Sequence, residues 1–301
     1  MSNRILIFAN TPWEADALTA VFVNARARPT GFPIPISPAS VNIPSVDGSS
    51  SKTITARLTY PDIEVWCVSD LLVSGYSTKE KARVLPYVAN NGAPPSLVIA
   101  FGTAAFPDPS SYDGCVVVGS NVFIYSPPED VLGNVEFWDD PSIGRFMDHS
   151  SQSINAPVFQ SLRNELRLQI ETRFLLAPVD SIKAPILIQS PGYTAISDVN
   201  VANPDDYAWA DADSVRAFAT AAPRHIIGSV ETTHGVINVK VRSKQFLFVS
   251  AIANRLGYFN MEAAPRNYAQ DFAVAHNAAV ALAWMIPVVV ASLASAPASL
   301  T

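Results

Sequence analysis

Short runs of continuous apolar residues alternate along the chain with segments whose apolar positions recur at helical spacing. Apolar runs bounded by turn residues predict strands buried on both faces. Such runs stand at Arg4 to Ala9, Leu97 to Phe101, Cys115 to Val118, Val122 to Tyr125, Ala184 to Gln189, Ile226 to Val230 and Gln245 to Ala253. Lys52 to Tyr60 and Ile63 to Val68 read as a hairpin around Pro61-Asp62. Helices are predicted from Trp13 to Asn24, Lys79 to Asn90, Ala156 to Phe174, from Ala212, from Val236 to Val241, and from Tyr268 to Met285. The chain beyond Pro287 is expected to be a loose tail. Thr11 suits a helix N-cap, with Pro12 at the first helical position and Glu14 completing a capping box. Strands alternating with helices predict an α/β fold: a three-layer sandwich with a central mixed β-sheet flanked by helices. One domain over residues 1–301 is expected, with loop insertions near 30–51 and 127–153.

Composition narrows the function classes. Apolar residues make up 49% of the 301 residues and charged residues 15%, ample for a large core. A net charge of −6, without a dense basic patch, argues against nucleic acid and acidic membranes as partners. Cys67 and Cys115 each lie inside an apolar run, as buried thiols of a reducing compartment do. No apolar leader opens the chain, so a cytoplasmic protein is expected. The alanine-rich stretch from Ala278 to Ala294 reaches about the lower limit of a membrane span and reads as a packing helix.

The stretch Ser96 to Ser120, SLVIAFGTAAFPDPSSYDGCVVVGS, organises the rest. Its first strand is expected to break at Gly102-Thr103-Ala104-Ala105, where small residues let a ligand approach the backbone and Thr103 offers a hydroxyl and an amide. Alone, the stretch also fits two core strands joined by a loop. Glu14 likewise has two readings: a capping-box partner, or a carboxylate at the mouth of the sheet.

Four segments, ILIFANTPWEADAL, VIAFGTAAF…DGCVVVG, SVETTHGVINV and FLFVSAIANRLG, resemble the nucleoside phosphorylase and nucleosidase superfamily in order and spacing. Ala105 replaces a usual glycine, Asp113-Gly114 reverses the family's Gly-Asp, and Val230 replaces methionine. The resemblance implies that Glu231 accepts hydrogen bonds from the ribose 2′- and 3′-hydroxyls, that Tyr193 lies against the base, and that Thr103, with Gly102 and Ala104, borders the ribose or the nucleophile. It also implies that Val230 flanks the substrate. Glu14 matches the glutamate that deprotonates a water aimed at the anomeric carbon. His234, three residues after Glu231, is a candidate for the ribose or the 5′ substituent. Asn254 stands where nucleosidases carry an aspartate that protonates the purine. An asparagine transfers no proton at neutral pH; the resemblance to the family members that carry asparagine here and read a 6-oxopurine with it implies an oxo-base, or weaker leaving-group assistance. Ser250 stands where an arginine often sits.

Phosphorolysis needs cationic phosphate donors, and ANTPWEA carries none. The expectation is therefore a nucleosidase-like hydrolase. A phosphorylase with phosphate as co-substrate, and a non-catalytic nucleoside-binding sensor, are the alternatives. The histidines show no metal-ligand spacing, with His225 and His276 read as structural. No cofactor is expected. The expected partner is a small-molecule nucleoside, and a homo-oligomer, dimer or trimer, is expected by resemblance.

Overall fold

The computed structural model describes residues 4–33, 41–43, 54–72, 78–107, 114–124, 147–150, 187–189, 193–196, 206–223, 227–241, 243 and 245–295. In chain order the elements are β1 (Ile5–Ala9), α1 (Pro12–Val23), β2 (Asn42–Ile43), β3 (Ile54–Thr55), β4 (Leu58–Tyr60), β5 (Ile63–Cys67), α2 (Val68–Leu71), α3 (Thr78–Asn90), β6 (Leu97–Phe106), β7 (Val116–Gly119), β8 (Asn121–Ile124), β9 (Met147–Ser150), β10 (Leu187–Gln189), β11 (Tyr193–Ile196), α4 (Asp206–Ala221), β12 (Ile227–Glu231), α5 (His234–Val241), β13 (Gln245–Arg255), α6 (Phe259–Glu262) and α7 (Tyr268–Ser295). The expected helix from Ala156 to Phe174 lies outside the described residues, as does most of both loop insertions.

The sheet is mixed, and its centre is β6. One edge of β6 pairs in parallel with β13 from Leu97 to Phe106. On the other edge, β1 pairs in parallel with Leu97 to Phe101, and β12 arrives antiparallel with Val230 opposite Ala105. Gly102 to Ala104 lie between the ends of these two strands, with no strand assigned to that edge among the described residues. A sheet edge left open between converging strand ends exposes unpaired backbone donors, and that is where ligands bind in such folds.

Side-chain alternation along these strands feeds two separate cores. Ile5, Ile7, Ile99, Phe101, Leu247 and Val249 pack with α1 and α7 on one face. Leu6, Phe8, Val98, Ala100, Phe246 and Phe248 pack with α3 and α5 on the other. The architecture is therefore the three-layer α/β sandwich that the strand and helix pattern predicts.

Several expected boundaries move. The first run of the central stretch does not stop at Gly102, because β13 supplies a ladder all the way to Phe106. The Lys52–Tyr60 strand divides into β3 and β4, since β3 pairs with β2 rather than with β5. The hairpin itself forms, with Tyr60 opposite Ile63 and Asp62 at a φ of 64°. The strand ending at Gln189 does not share the direction of β13. It runs parallel to β7, which is antiparallel to β13, so that end faces the opposite way.

α7 continues through Pro287 to Ser295 instead of ending at Met285. Proline in a helix interior costs about 3 kcal/mol. Burial of Ile286 and Val289 in the core beneath α7 offsets that cost. The segment Tyr268–Ala291 is long and apolar enough to cross a bilayer, and 72% of its most apolar window is buried inside the protein.

Candidate active site

A cavity of about 400 Å³ opens where β1, β6, β12 and β13 end. Asn10, Thr11, Trp13 and Glu14 line it from the β1–α1 junction, Thr103 to Ala105 from β6, and Val230 to Thr232 from the end of β12. Ala253 and Asn254 line it from β13, Phe259 from α6 and Ala263 from just after it, and Asp211 from α4. Arg266, Tyr268 and Asp271 close it from the start of α7.

Glu14 is 1% exposed, yet its carboxylate fills its full accepting capacity. Oε2 accepts from the amides of Asn10 at 2.9 Å and Thr11 at 2.8 Å. Oε1 accepts from the Thr103 amide at 2.7 Å and the Thr103 hydroxyl at 2.8 Å. The capping-box bond is thus real, but it is one of four, and two of the others come from the open edge of β6. Burial pushes the carboxyl up to about 7, helped by the charge of Glu231 and opposed by these hydrogen bonds. Gly102 does not line the cavity. It lies beneath Glu14, where a Cβ would stand 3.1 Å from Oε1. The glycine makes room for a side chain of the protein rather than for a ligand.

Glu231 ends β12 and caps α5. Its Oε2 accepts from the amides of Thr233 and His234, both at 2.6 Å. Oε1 takes no hydrogen bond among the described residues. The helix-start role and a ligand role therefore fall on different oxygens of one carboxylate. His234 lies behind it, fully buried and stacked on Phe248, with Nδ1 3.7 Å from Glu231 Oε2. Burial holds its pKa below the usual histidine range, with Lys81 adding to the effect. His234 is thus a neutral ring under the site, not part of its lining. Lys81, also buried, donates from Nζ to Thr233 Oγ1 at 2.8 Å.

Asn254 is buried at the cavity wall and donates from Nδ2 to the Arg255 carbonyl at 2.7 Å. Ala104 and Val230 supply an apolar floor. Ser250 sits opposite Gly102 in the ladder, buried, and does not reach the cavity. Tyr193 opens β11, whose backbone runs parallel to β12; its side chain lies outside the described atoms.

The α7 side of the cavity escaped the sequence reading. Trp13 meets Tyr268 edge-on at 6.3 Å. The Tyr268 hydroxyl donates to Asp16, which pairs with Arg57, which in turn holds Asp70 at 2.7 Å. Arg266 is the one basic residue among the described residues lining the cavity. Its guanidinium donates to the Ala253 carbonyl. A tyrosine and an aspartate in the first turn of an otherwise alanine-rich packing helix were the available signal.

Carboxylates at the ends of a mixed sheet, with little positive charge around them, line the cavity of this α/β protein. No family model and no curated protein matches the sequence. The fold is that of solved members of the nucleoside phosphorylase and nucleosidase superfamily. The chain is similar to a 5′-methylthioadenosine/S-adenosylhomocysteine nucleosidase of Neisseria meningitidis in complex with methylthio-immucillin-A, at 12% identity and a TM-score of 0.53, over 95% of this chain and 99% of that one. It is similar to the corresponding nucleosidase of Colwellia psychrerythraea in complex with adenine, at 14% identity and a TM-score of 0.54, over 97% and 96%. Futalosine hydrolase of Helicobacter pylori matches at 11% identity and a TM-score of 0.52, over 95% and 98%.

Proposed function

We propose that the protein hydrolyses the N-glycosidic bond of a purine nucleoside, with water as nucleophile. The observation that carries this reading is Glu14: a buried carboxylate pushed up to about 7, at the open edge of β6, in one cavity with Glu231. A general base works best with a pKa near the working pH. Of its four donors, three are backbone amides and cannot turn away. The Thr103 hydroxyl can rotate, so Oε1 opens to water on that side. The water oxygen then bonds C1′ while Glu14 takes its proton. Glu231 Oε1 accepts the ribose hydroxyls, as an ionised carboxylate does well. Asn254 both donates and accepts, so it can pair with N7 and the 6-substituent of a purine, whether amino or oxo, but it cannot protonate the base. The solved proteins of this fold that were crystallised with adenine or methylthio-immucillin-A support a purine as the base.

Arg266 keeps phosphorolysis as a second reading, since it brings a guanidinium to the cavity. Its bond to Ala253 and its neighbour Asp271 leave it a poor phosphate anchor. Incubation with a nucleoside panel, with and without phosphate, tests both readings. Free ribose supports hydrolysis, ribose 1-phosphate supports phosphorolysis, and binding without turnover defeats both.

A further inference from the structure

Hydrolysis of a nucleoside needs two proton movements. Water gives up a proton as its oxygen bonds C1′, and the base gains one as the C1′–N bond breaks. Glu14 serves the first. Asn254 has no transferable proton for the second.

Four carboxyl groups line the cavity: Glu14, Asp211, Glu231 and Asp271. Three are committed to backbone amides. Glu14 holds the amides of Asn10, Thr11 and Thr103. Glu231 holds those of Thr233 and His234. Asp211 holds those of Phe259 at 2.6 Å and Asn260 at 3.0 Å. Asp271 differs: its carboxyl accepts no hydrogen bond among the described residues. The charged group that acts on it is Arg266, whose guanidinium is tied to the Ala253 carbonyl, next to Asn254. Nearby Tyr268 and Asp16 are engaged with each other and with Arg57.

Building on the hydrolase reading above, we propose that Asp271 is the general acid that protonates the departing base, supplying the proton that Asn254 lacks. The electron pair of the C1′–N bond passes to the base nitrogen, which takes the Asp271 proton. The water oxygen becomes the sugar 1-hydroxyl, and its proton goes to Glu14. Exchange with solvent then restores both carboxyls. Burial raises Asp271 to about 6 against the pull of Arg266, so roughly a tenth of it carries a proton at neutral pH, enough for a general acid.

The test compares Asp271→Asn and Asp271→Glu with the parent on a cleaved nucleoside and on 4-nitrophenyl β-D-ribofuranoside, whose leaving group departs without a proton. Asp271→Asn should slow the nucleoside about 10²-fold or more and the nitrophenyl riboside only a few-fold. It should also remove the alkaline limb of the pH–rate profile and keep the acidic one. Asp271→Glu, which retains an acid, should recover part of the nucleoside rate and the alkaline limb, and it serves alone if the asparagine variant does not fold. Equal slowing of both substrates, or an alkaline limb unchanged in Asp271→Asn, overturns the assignment to Asp271 and leaves hydrolysis standing. A parent inert on both substrates overturns the hydrolase reading and this inference with it.

Discussion

The carboxylate of Glu14 rests on the backbone of Gly102, so close that a Cβ at Gly102 would stand 3.1 Å from Oε1 and 3.4 Å from Oε2. The contact is possible only because β1 ends opposite Phe101 and leaves the next residues of β6 uncovered. Gly102→Ala should therefore act through Glu14. The added methyl forces the carboxylate to give by a few tenths of an ångström, against four hydrogen bonds that hold it. Misplacement of a catalytic group by about 1 Å costs about 10²-fold, so a loss of roughly ten-fold in kcat is expected. Steady-state kinetics on a cleaved nucleoside checks it. An unchanged kcat would mean that the exact place of Glu14 does not matter to turnover.

Glu14→Gln should abolish most hydrolysis. Loss of general-base help typically costs about 10²–10⁴-fold. The variant is not a silent replacement for stability, however. A glutamine amide has one acceptor oxygen, and its NH₂ group must face either the amides of Asn10 and Thr11 or that of Thr103. One or two buried donors lose their partner, at about 1–3 kcal/mol each. A melting temperature several degrees below the parent is expected, with the protein still folded at assay temperature. Turnover within a few-fold of the parent would return Glu14 to a purely structural role.

Strands β1, β6 and β13 were legible because strands buried on both faces are continuously apolar, short and bounded by turn residues. Their alternation with helices gave the fold class, not the order of the strands in the sheet. What pairs across the site was not legible. Glu14 and Thr103 are 89 residues apart, and only the three-dimensional ladder shows that their bond exists. Small residues at Gly102 suggest room for a ligand, whereas the group that lies against Gly102 is the Glu14 carboxylate, because local sequence does not say which side chain arrives there. Asp271 and Arg266 were passed over because they open a helix whose composition speaks only of packing. Pro287 misled for a related reason: local propensity ends a helix there, and tertiary burial of Ile286 and Val289 overrides it.

Glu231→Gln separates the cap from the ligand role. Its carbonyl oxygen can keep the amides of Thr233 and His234, so α5 remains capped. The NH₂ group then replaces Oε1 and presents donors where the sugar hydroxyls need acceptors. Loss of a charged hydrogen bond costs roughly 1.5–3 kcal/mol, so nucleoside affinity should fall by about ten- to a hundred-fold with little change in melting temperature. Calorimetry with the best-bound nucleoside reads the first and a thermal melt the second. Unchanged affinity would remove Glu231 from the sugar site. Glu231→Ala should lose affinity and, in addition, about 1 kcal/mol of helix capping.

Glu14 also sets a pH dependence of stability. Its carboxyl is raised from 4.5 in the unfolded chain to about 7 in the folded protein, chiefly by burial. The folded state therefore holds the proton more tightly. The stabilisation from this group is full below about 4.5 and is lost as the pH rises through about 7. The shift corresponds to roughly 3 kcal/mol across that window. Glutamine at position 14 cannot titrate, so Glu14→Gln lacks this slope. At pH 5 the parent should melt above the variant. At pH 8, where the parent holds a buried charge, the gap should narrow by several degrees or reverse. Melting curves of both proteins at the two pH values give the comparison directly. A gap that stays constant would mean that ionising Glu14 inside the cavity costs nothing, the four donors around the carboxylate offsetting its burial.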